Sequence, residues 1–497
     1  MAQTSAIVIG GGLGGVSSAI TLAQNGFSVR LYEKNQHIGG KLNLKEQDGF
    51  RFDLGPSILT MPHIFESMFA KSGKQMADYI PIVRLEHEWR SFFPDGTVLD
   101  LYGDLDKMAR ENPSLSADDM RQYKNFLDYA KGLDDITTEG YFSRTGLDTI
   151  RDVFARHGFF KSMNGFDYFS TMYGAIQKRI SNQNLRDMLA YFIKYVGSSP
   201  YNAPAVLNMM IHMQHQLGEW YVPGGMNKIA LGLVRLAEEI GVEIHTSNEV
   251  VQLETAGDER ITAAILADGS RQTADYFISN MEVIPAYKRL LGWSDHKMSA
   301  LLKFEPACSG LVLHIGVNRQ YPQLAHHNFF FSGNPQQHFD KVFNRHELPD
   351  DPTLYVVNVN KTDPDQALPG HENLKILPHI PYIQKNPATR EAYLALKERV
   401  LDKLERMGLS DLRQHIVTED FWTPVDLENM YYSDRGAIYG VVSDRKANHG
   451  FKHPKHSTQY DNLYFAGGTV NPGGGMPMVT LSGQQTAYLI LDRESHG

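Results

Sequence analysis

Residues 10–15 read Gly-Gly-Gly-Leu-Gly-Gly, preceded by an apolar run at residues 6–9 and followed by helical character at residues 16–24. Strand, glycine turn and helix in that order make a cradle for a pyrophosphate. Gly10 allows the tight turn and Gly12 lets backbone approach the phosphates. Gly15 lets the helix pack on the strand, with its partially positive end toward the anion. A second strand pattern at residues 28–32 ends at Glu33, about 20 residues past the glycines, where a carboxylate can accept hydrogen bonds from ribose hydroxyls. A glycine-rich turn in an unrelated α/β protein is the bland alternative, and the ordered unit as a whole favours the dinucleotide. Gly39-Gly40-Lys41 and Leu54-Gly55-Pro56 follow and could extend backbone contacts beyond the ribose.

A second glycine-rich segment lies near the other end. Residues 462–468 read as a strand ending in Gly467-Gly468, and Asn471-Pro472-Gly473-Gly474-Gly475-Met476-Pro477 then leads into a helical pattern at residues 478–491. Glycines let a chain touch a flat ring system, and a helix starting near Pro477 directs its dipole at a carbonyl or an anionic ring. That suits a flavin, against a plain turn before a terminal helix.

Among polar residues, His326-His327-Asn328 beside Phe329-Phe330-Phe331 is the most suggestive group for chemistry. A histidine there could relay a proton or hold a water; the alternative is a strand whose histidines satisfy buried partners. A metal site would need further ligands, for which His371 and His379 would have to converge, so no metal is expected. Asp53, Glu219 and Asp434 could approach the same site or serve as surface and capping residues.

The elements that must position these groups follow from composition and periodicity. A chain of 497 residues is long enough for about three domain-sized units. It is 42% hydrophobic, 21% charged and 11% aromatic, within the globular range. Lys plus Arg number 48 against 57 Asp plus Glu, a net charge of −9 that argues against a nucleic-acid partner. The single cysteine, Cys308, excludes an internal disulfide and a Cys-rich metal site and fits a reducing cytoplasm. No basic leader precedes the first strand and no run of about 18 apolar residues stands outside the glycine-rich start, so neither a signal peptide nor a membrane span is expected.

Met226, Ile229, Leu233, Leu236 and Ile240 recur at helical spacing, and residues 242–245 alternate as a strand. Residues 249–253, 261–266 and 276–279 add strand signals, with residues 255–260 as a polar loop and Asp268-Gly269 as a hairpin turn. Between about 100 and 220 the character changes to helices rich in aromatic residues and methionine, among them Phe154, Phe159, Phe160, Met163, Phe166, Tyr168, Phe169, Met172 and Tyr173, then Met209, Met210, Ile211 and Met213.

The pieces VIGGGLGG, EKNQHIGGK, FRFDLGPSILTMP, WYVPGGM, ADYFISN and LYFAGGTVNPGGGMPMVTLSGQ resemble the carotenoid desaturase and oxidase branch of the flavin amine-oxidase-like family, from end to end. QYPQLAHHNFFF, NVNKTDPDQALPG, LPHIPYIQ and RGAIYGVVSDRK look more narrowly like the 4,4′-diaponeurosporene oxygenases of bacterial C30 carotenoid pathways. The resemblance implies an α/β fold with a Rossmann-like FAD-binding domain assembled from residues 1–95, 223–290 and 415–497. It further implies a helical membrane-facing subdomain at 96–222 and a mixed-sheet substrate domain at 291–414. FAD is the implied cofactor, with Gly10, Gly12, Gly15 and Glu33 on its ADP half, Val250 near the adenine, and Gly467, Gly468, Met476 and Pro477 near the isoalloxazine.

The implied activity is oxidation of terminal methyl groups of 4,4′-diaponeurosporene or 4,4′-diapolycopene to aldehydes, with His326 or His327 assisting. The competing readings are an in-chain desaturase of the diapophytoene type and a non-catalytic carotenoid-binding flavoprotein. A C30 polyene offers no polar handle, so its site should be an apolar, aromatic tunnel. Such a substrate implies peripheral attachment to the inner face of the cell membrane, through the residue 154–213 helices with Lys161, Lys178, Arg179 and Arg186 near anionic head groups.

Overall fold

The computed structural model describes residues 3–496 apart from 159, 160, 163 and 164. Its first layer is a five-stranded parallel sheet in the order Leu463–Phe465, Tyr276–Ser279, Ser5–Ile9, Ser28–Tyr32, Glu243–His245. Three distant stretches of chain therefore meet in one sheet. Residues 6–9 are buried on both faces, the pattern of a central parallel strand. The helix Leu13–Ala23 crosses from the first strand to the second. It packs against the terminal helix Met476–His496, and the approach is close enough that a Cβ on Gly483 would stand 2.2 Å from the Gly14 carbonyl oxygen. Ser17 Oγ also donates to the Thr480 carbonyl at 2.6 Å. Both glycine-rich segments are thus brought to one end of the sheet.

The expected helix near residues 226–240 is Asn227–Glu239, and it delivers the chain to the edge strand Glu243–His245. A small antiparallel sheet pairs Val250–Ala256 with Arg260–Leu266, and then Arg271–Gln272. The polar loop expected at 255–260 is shorter than its composition suggested. Thr255 pairs with Ile261 and Ala256 with Arg260, because the ladder satisfies their backbone groups whatever the side chains prefer.

The second layer is a mixed eight-stranded sheet. Its path runs Ile416–Trp422, Val312–Val317, Glu372–Ile380, Leu354–Val357, His327–Phe330, Trp89–Phe92, Val98–Leu101, with Ser309–Gly310 also paired to Glu372–Ile380. Trp89–Phe92 and Ile416–Trp422 lie here and not in the parallel sheet. Cross-strand stacking of Phe92 on Phe330 and Phe93 on Phe331, with centroids 4.5 and 4.6 Å apart, is what the local pattern did not reveal.

A helical region lies between residues 105 and 217, and the starts of its helices are legible in capping residues. Ser116 and Asp119 close a capping box at Ala117–Gly140, Thr149 and Asp152 another at Ile150–His157, and Asn182 caps Gln183–Ala190. Met172, Ile211, Met209 and Met213 are core residues. Phe169 is the opposite, 80% exposed. Phe159, Phe160 and Met163 lie outside the described residues. Of the cations expected near head groups, Arg179 stacks on Tyr129 at 3.6 Å and Lys178 bonds Ser170 Oγ at 3.1 Å. Arg186 holds the Ile180 carbonyl and Lys161 pairs with Glu139. No described helix is long and apolar enough to cross a membrane.

Candidate active site

The dinucleotide end forms where the first strand stops. Gly10 adopts φ +97°, and its N–H donates to the Tyr32 carbonyl at 2.8 Å. A Cβ on Gly12 would stand 2.5 Å from Asn280 Oδ1, and one on Gly15 would stand 2.1 Å from the Gly10 carbonyl oxygen. No side chain caps the start of Leu13–Ala23, so its first-turn N–H groups are left for an anion. Glu33 Oε2 accepts the Gly11 N–H at 2.7 Å and Oε1 accepts the Asn35 N–H at 2.8 Å. Each oxygen keeps a further lone pair for a ribose hydroxyl.

The second glycine stretch closes over this loop. Gly40 has φ +58°, and a Cβ there would meet the Gly12 Cα at 3.2 Å. Lys41 Nζ donates to the Ile438 carbonyl at 3.1 Å and faces Glu282 at 3.7 Å. A Cβ on Gly55 would lie 1.8 Å from the Lys41 carbonyl oxygen, so no other residue fits. Asn280 had no role in the sequence reading, although it ends the quoted ADYFISN piece. Its Nδ2 donates to the Ala466 carbonyl at 2.9 Å while its Oδ1 abuts Gly12, which fastens the N-terminal glycine loop to the C-terminal one. A polar residue at a strand's end was the available signal.

At the other end Gly467 adopts φ +124° and its N–H donates to Ser482 Oγ at 2.8 Å. A Cβ on Gly474 would stand 2.9 Å from the Tyr439 carbonyl oxygen, and one on Gly440 would stand 2.3 Å from that of Gly468. Two bare backbones therefore face one another at the start of the terminal helix.

One cavity of about 870 Å³ joins the two ends. Gly10, Gly12, Glu33, Gly40, Lys41, Gly55, Val250, Gly467, Gly468, Met476 and Pro477 all line it; Gly15 stands behind the loop. Glu249 and Tyr432 close the far end beside Val250, with the Tyr432 ring held between Lys34 at 4.0 Å and Arg289 at 3.9 Å. From the glycine junction the cavity continues past Tyr195, Met209 and Met213 to Phe154, Phe166, Tyr168 and the exposed Phe169. A dinucleotide carrying a flat ring fits the first part, and a long apolar molecule fits the second.

His326 and His327 do not line this cavity. They sit one layer behind it, both buried. His327 Nδ1 is hydrogen-bonded to the hydroxyl of Tyr355, which does line it, at 2.9 Å, and His326 Nδ1 bonds Thr362 Oγ1 at 2.7 Å. Burial holds both imidazoles far below their usual range, that of His326 at about 3, so both are neutral. Asp53 is likewise one step removed: it accepts the Met226 N–H at 2.9 Å, and burial raises it to about 6. Asp434 donates its backbone N–H to Glu282 at 2.8 Å.

The polar groups that reach the inner cavity are ones the sequence hid. Lys375 lines it and donates to the backbone carbonyls of Asp53 and Gly55; burial lowers it to about 8, Asp53 opposing. Lys194 lines it with its Nζ packed against the rings of Tyr195 at 3.8 Å, Trp89 at 4.1 Å and Phe329 at 5.0 Å. That Nζ has no hydrogen-bond partner among the described residues, and burial holds it down at about 7 against the pull of Glu219.

Residues 13–491 match the family described as flavin containing amine oxidoreductase. The chain belongs to that family. As a flavin containing amine oxidoreductase it is an FAD-dependent oxidoreductase, and FAD is the dinucleotide the glycine cradle fits. Among its relatives is the 4,4′-diaponeurosporene oxygenase of Staphylococcus haemolyticus (strain JCSC1435), 58% identical over 491 residues, covering 99% of this chain and 97% of that one. Its counterpart in Staphylococcus aureus (strain USA300) is 57% identical, covering 98% of each chain. Solved structures of the same fold include an oxidoreductase from Methanosarcina mazei, with TM-score 0.65, 16% identity and coverage of 98% of this chain and 100% of that one. Putrescine oxidase bound to putrescine gives TM-score 0.62 at 14% identity, covering 99% of each.

Proposed function

We infer that the protein is a C30 carotenoid oxidase that converts terminal methyl groups of 4,4′-diaponeurosporene or 4,4′-diapolycopene to aldehydes, using FAD. The observation that carries this reading is the continuous cavity, polar at its dinucleotide end and walled by methionine and aromatic residues from Met209 to Phe169. The near-full-length identity to the two staphylococcal oxygenases supports the same substrate class.

Bound FAD supplies an acceptor for the hydride of an allylic terminal CH₃, whose developing charge spreads along the conjugated chain; the carbon then takes oxygen from water or from dioxygen, giving the alcohol that a second hydride loss converts to the aldehyde. The apolar walls align the polyene so that only its end reaches the ring, and they keep bulk water away. His327 holds the Tyr355 hydroxyl in place and thereby shapes the inner wall, with His326 ordering the strand behind it. Residues 1–95, 223–290 and 415–497 supply the flavin's surroundings and 291–414 the sheet against which the polyene lies, with the strands at 89–92 and 416–422 crossing into that sheet. The decisive experiment is expression in cells making 4,4′-diaponeurosporene or 4,4′-diapolycopene, followed by mass analysis of the pigments. Oxygenated ends support the reading, whereas only new in-chain double bonds would transfer the protein to the desaturases. If Tyr355 is the group served, His327→Ala slows aldehyde formation by roughly tenfold or more, and His327→Gln, whose amide can donate or accept, restores most of the rate with FAD content unchanged.

The residue 96–222 helices present the cavity mouth to the cytoplasmic face of the membrane. Phe169 supports this, exposed at the rim beside Tyr168 and Phe166 where an apolar side chain has no packing role. Replacing Phe169 by Asp should reduce flotation with anionic liposomes several-fold while leaving fold and flavin intact. Unchanged flotation would place the contact elsewhere.

A further inference from the structure

Behind the inner cavity runs a row of hydrogen bonds between two buried carboxyls. Tyr195, which lines the cavity, has its hydroxyl oxygen 2.6 Å from Gln214 Oε1 and 3.0 Å from Glu219 Oε1. Gln214 Nε2 donates to Glu88 Oε2 at 2.8 Å, and Trp89 Nε1 donates to Glu219 Oε1 at 2.7 Å. Glu88 and Glu219 are buried, and Glu219 Oε2 has no partner among the described residues. At the outer end, a Cβ on Gly103 would stand 3.3 Å from Glu88 Oε1 and 3.6 Å from Arg84 Nη2. Arg84 is exposed and Gly103 half-buried, so the row leads from cavity to surface.

Proton counting decides what this row contains. Tyr195 has one hydroxyl proton and two oxygens within reach, so it cannot donate to both. When it donates to Gln214 Oε1, its contact with Glu219 requires a proton on Glu219, and Glu88 is the carboxylate that accepts from Gln214. When the amide is turned over, Gln214 Nε2 donates to Tyr195, Tyr195 donates to a Glu219 carboxylate, and Glu88 must hold the proton against Gln214 Oε1. Either way at least one of the two carboxyls holds a proton, and a single proton is enough to satisfy the row. Burial raises both well above the usual carboxylate range, as holding that proton needs.

We propose that this row conducts the proton released when a once-oxidised polyene end, a terminal CH₂OH, becomes the aldehyde, with Tyr195 as the group that takes it. The inference rests on the carotenoid-oxidase reading of the cavity. The carbon gives a hydride to the oxidised flavin, and the hydroxyl proton passes to the Tyr195 oxygen as Tyr195 passes its own proton to the Glu219 carboxylate. The C–H and O–H bonds break, C=O forms, and the proton rests on Glu219. The row then holds two protons, because Glu88 is already the acid in the arrangement that leaves Glu219 a carboxylate. Glu88 releases its proton to water beside Arg84, and the intact Gln214 amide turns over so that Oε1 accepts from Tyr195 and Nε2 donates to the Glu88 carboxylate. Trp89 keeps Glu219 facing Tyr195 throughout.

Two measurements test this, and one needs no substrate. The infrared difference between the wild-type flavoprotein and Glu219→Gln, at neutral pH in H₂O and D₂O, should contain one deuterium-sensitive carboxylic-acid C=O band. In Glu219→Gln the new amide donates to Tyr195 and the row needs no acidic proton. Absence of that band overturns the proton held in the row. Tyr195→Phe, supplied with the terminal alcohol, should form aldehyde roughly 10²-fold more slowly, the size of a general acid–base contribution, with normal FAD content. An unchanged rate overturns the role of Tyr195. Failure of the wild type to oxidise the alcohol or the methyl end would instead sink the carotenoid-oxidase reading, leaving the infrared result to judge the row.

Discussion

Gly12→Val is expected to yield protein with no bound flavin. A valine Cβ at this position would lie 2.5 Å from Asn280 Oδ1, inside any permitted contact, and its methyl groups would point into the space that backbone N–H groups leave for the pyrophosphate. Asn280 cannot move away cheaply. Its Nδ2 bond to Ala466 ties the first glycine loop to the segment carrying Gly467 and Gly468. The substitution therefore disturbs both halves of the cofactor site at once. Flavin absorbance of the purified variant, set against its circular dichroism, is the measurement. A folded variant with a full complement of flavin would show that the pyrophosphate is held elsewhere.

The Gly12 result also shows why part of this molecule could be read from its sequence. Glycine turns, a terminal acid and helix caps are local signals, because the residue type is imposed by backbone geometry within a few positions. Gly10, Gly12, Glu33 and the segment from Gly467 to Pro477 were legible for that reason, as was the alternation of strands and helices around them. What the local signal lacks is pairing across the chain. Trp89–Phe92 joins His327–Phe330 in parallel, a contact of residues more than two hundred positions apart that no window around either strand encodes. The same limit hid the inner cavity wall. Lys194 reads as an ordinary basic residue in a helical stretch, and only packing against Trp89 and Phe329 makes it a buried amine. His326 and His327 show the converse error, since a conspicuous polar pair beside three phenylalanines is conspicuous in sequence without facing the cavity. Fold position, not residue type, separates Tyr355 from the histidine behind it.

Buried lysines give the second large effect, a stability that rises with pH in the mildly alkaline range. Lys194 and Lys452 are held down at about 7 and Lys375 at about 8, in each case first by burial. In the unfolded chain each returns to the ordinary lysine value near 10.5. Between about pH 8 and 9 the unfolded state therefore binds more protons at these sites than the folded state, and the sign of the linkage makes unfolding harder as pH rises. Glu88, raised by burial, opposes this toward the lower edge of the window, and Cys308, raised by burial, opposes it toward the upper edge. One lysine can be isolated by substitution. Lys452 is buried beside Gly473, and its Nζ donates to the Val441 carbonyl with no ion-pair partner among the described residues. Lys452→Met should reduce the pH slope of the unfolding free energy by nearly 1.4 kcal/mol per pH unit, the full linkage of one proton. It should also stabilise the protein more at about pH 8 than at about pH 9, because the wild-type penalty grows as pH falls toward the folded value of the lysine. Urea unfolding of the flavoprotein at about pH 8 and about pH 9, wild type against variant, measures both quantities. Equal slopes in the two proteins would mean that Lys452 keeps its proton when folded, and that water or a rearranged carboxylate reaches it.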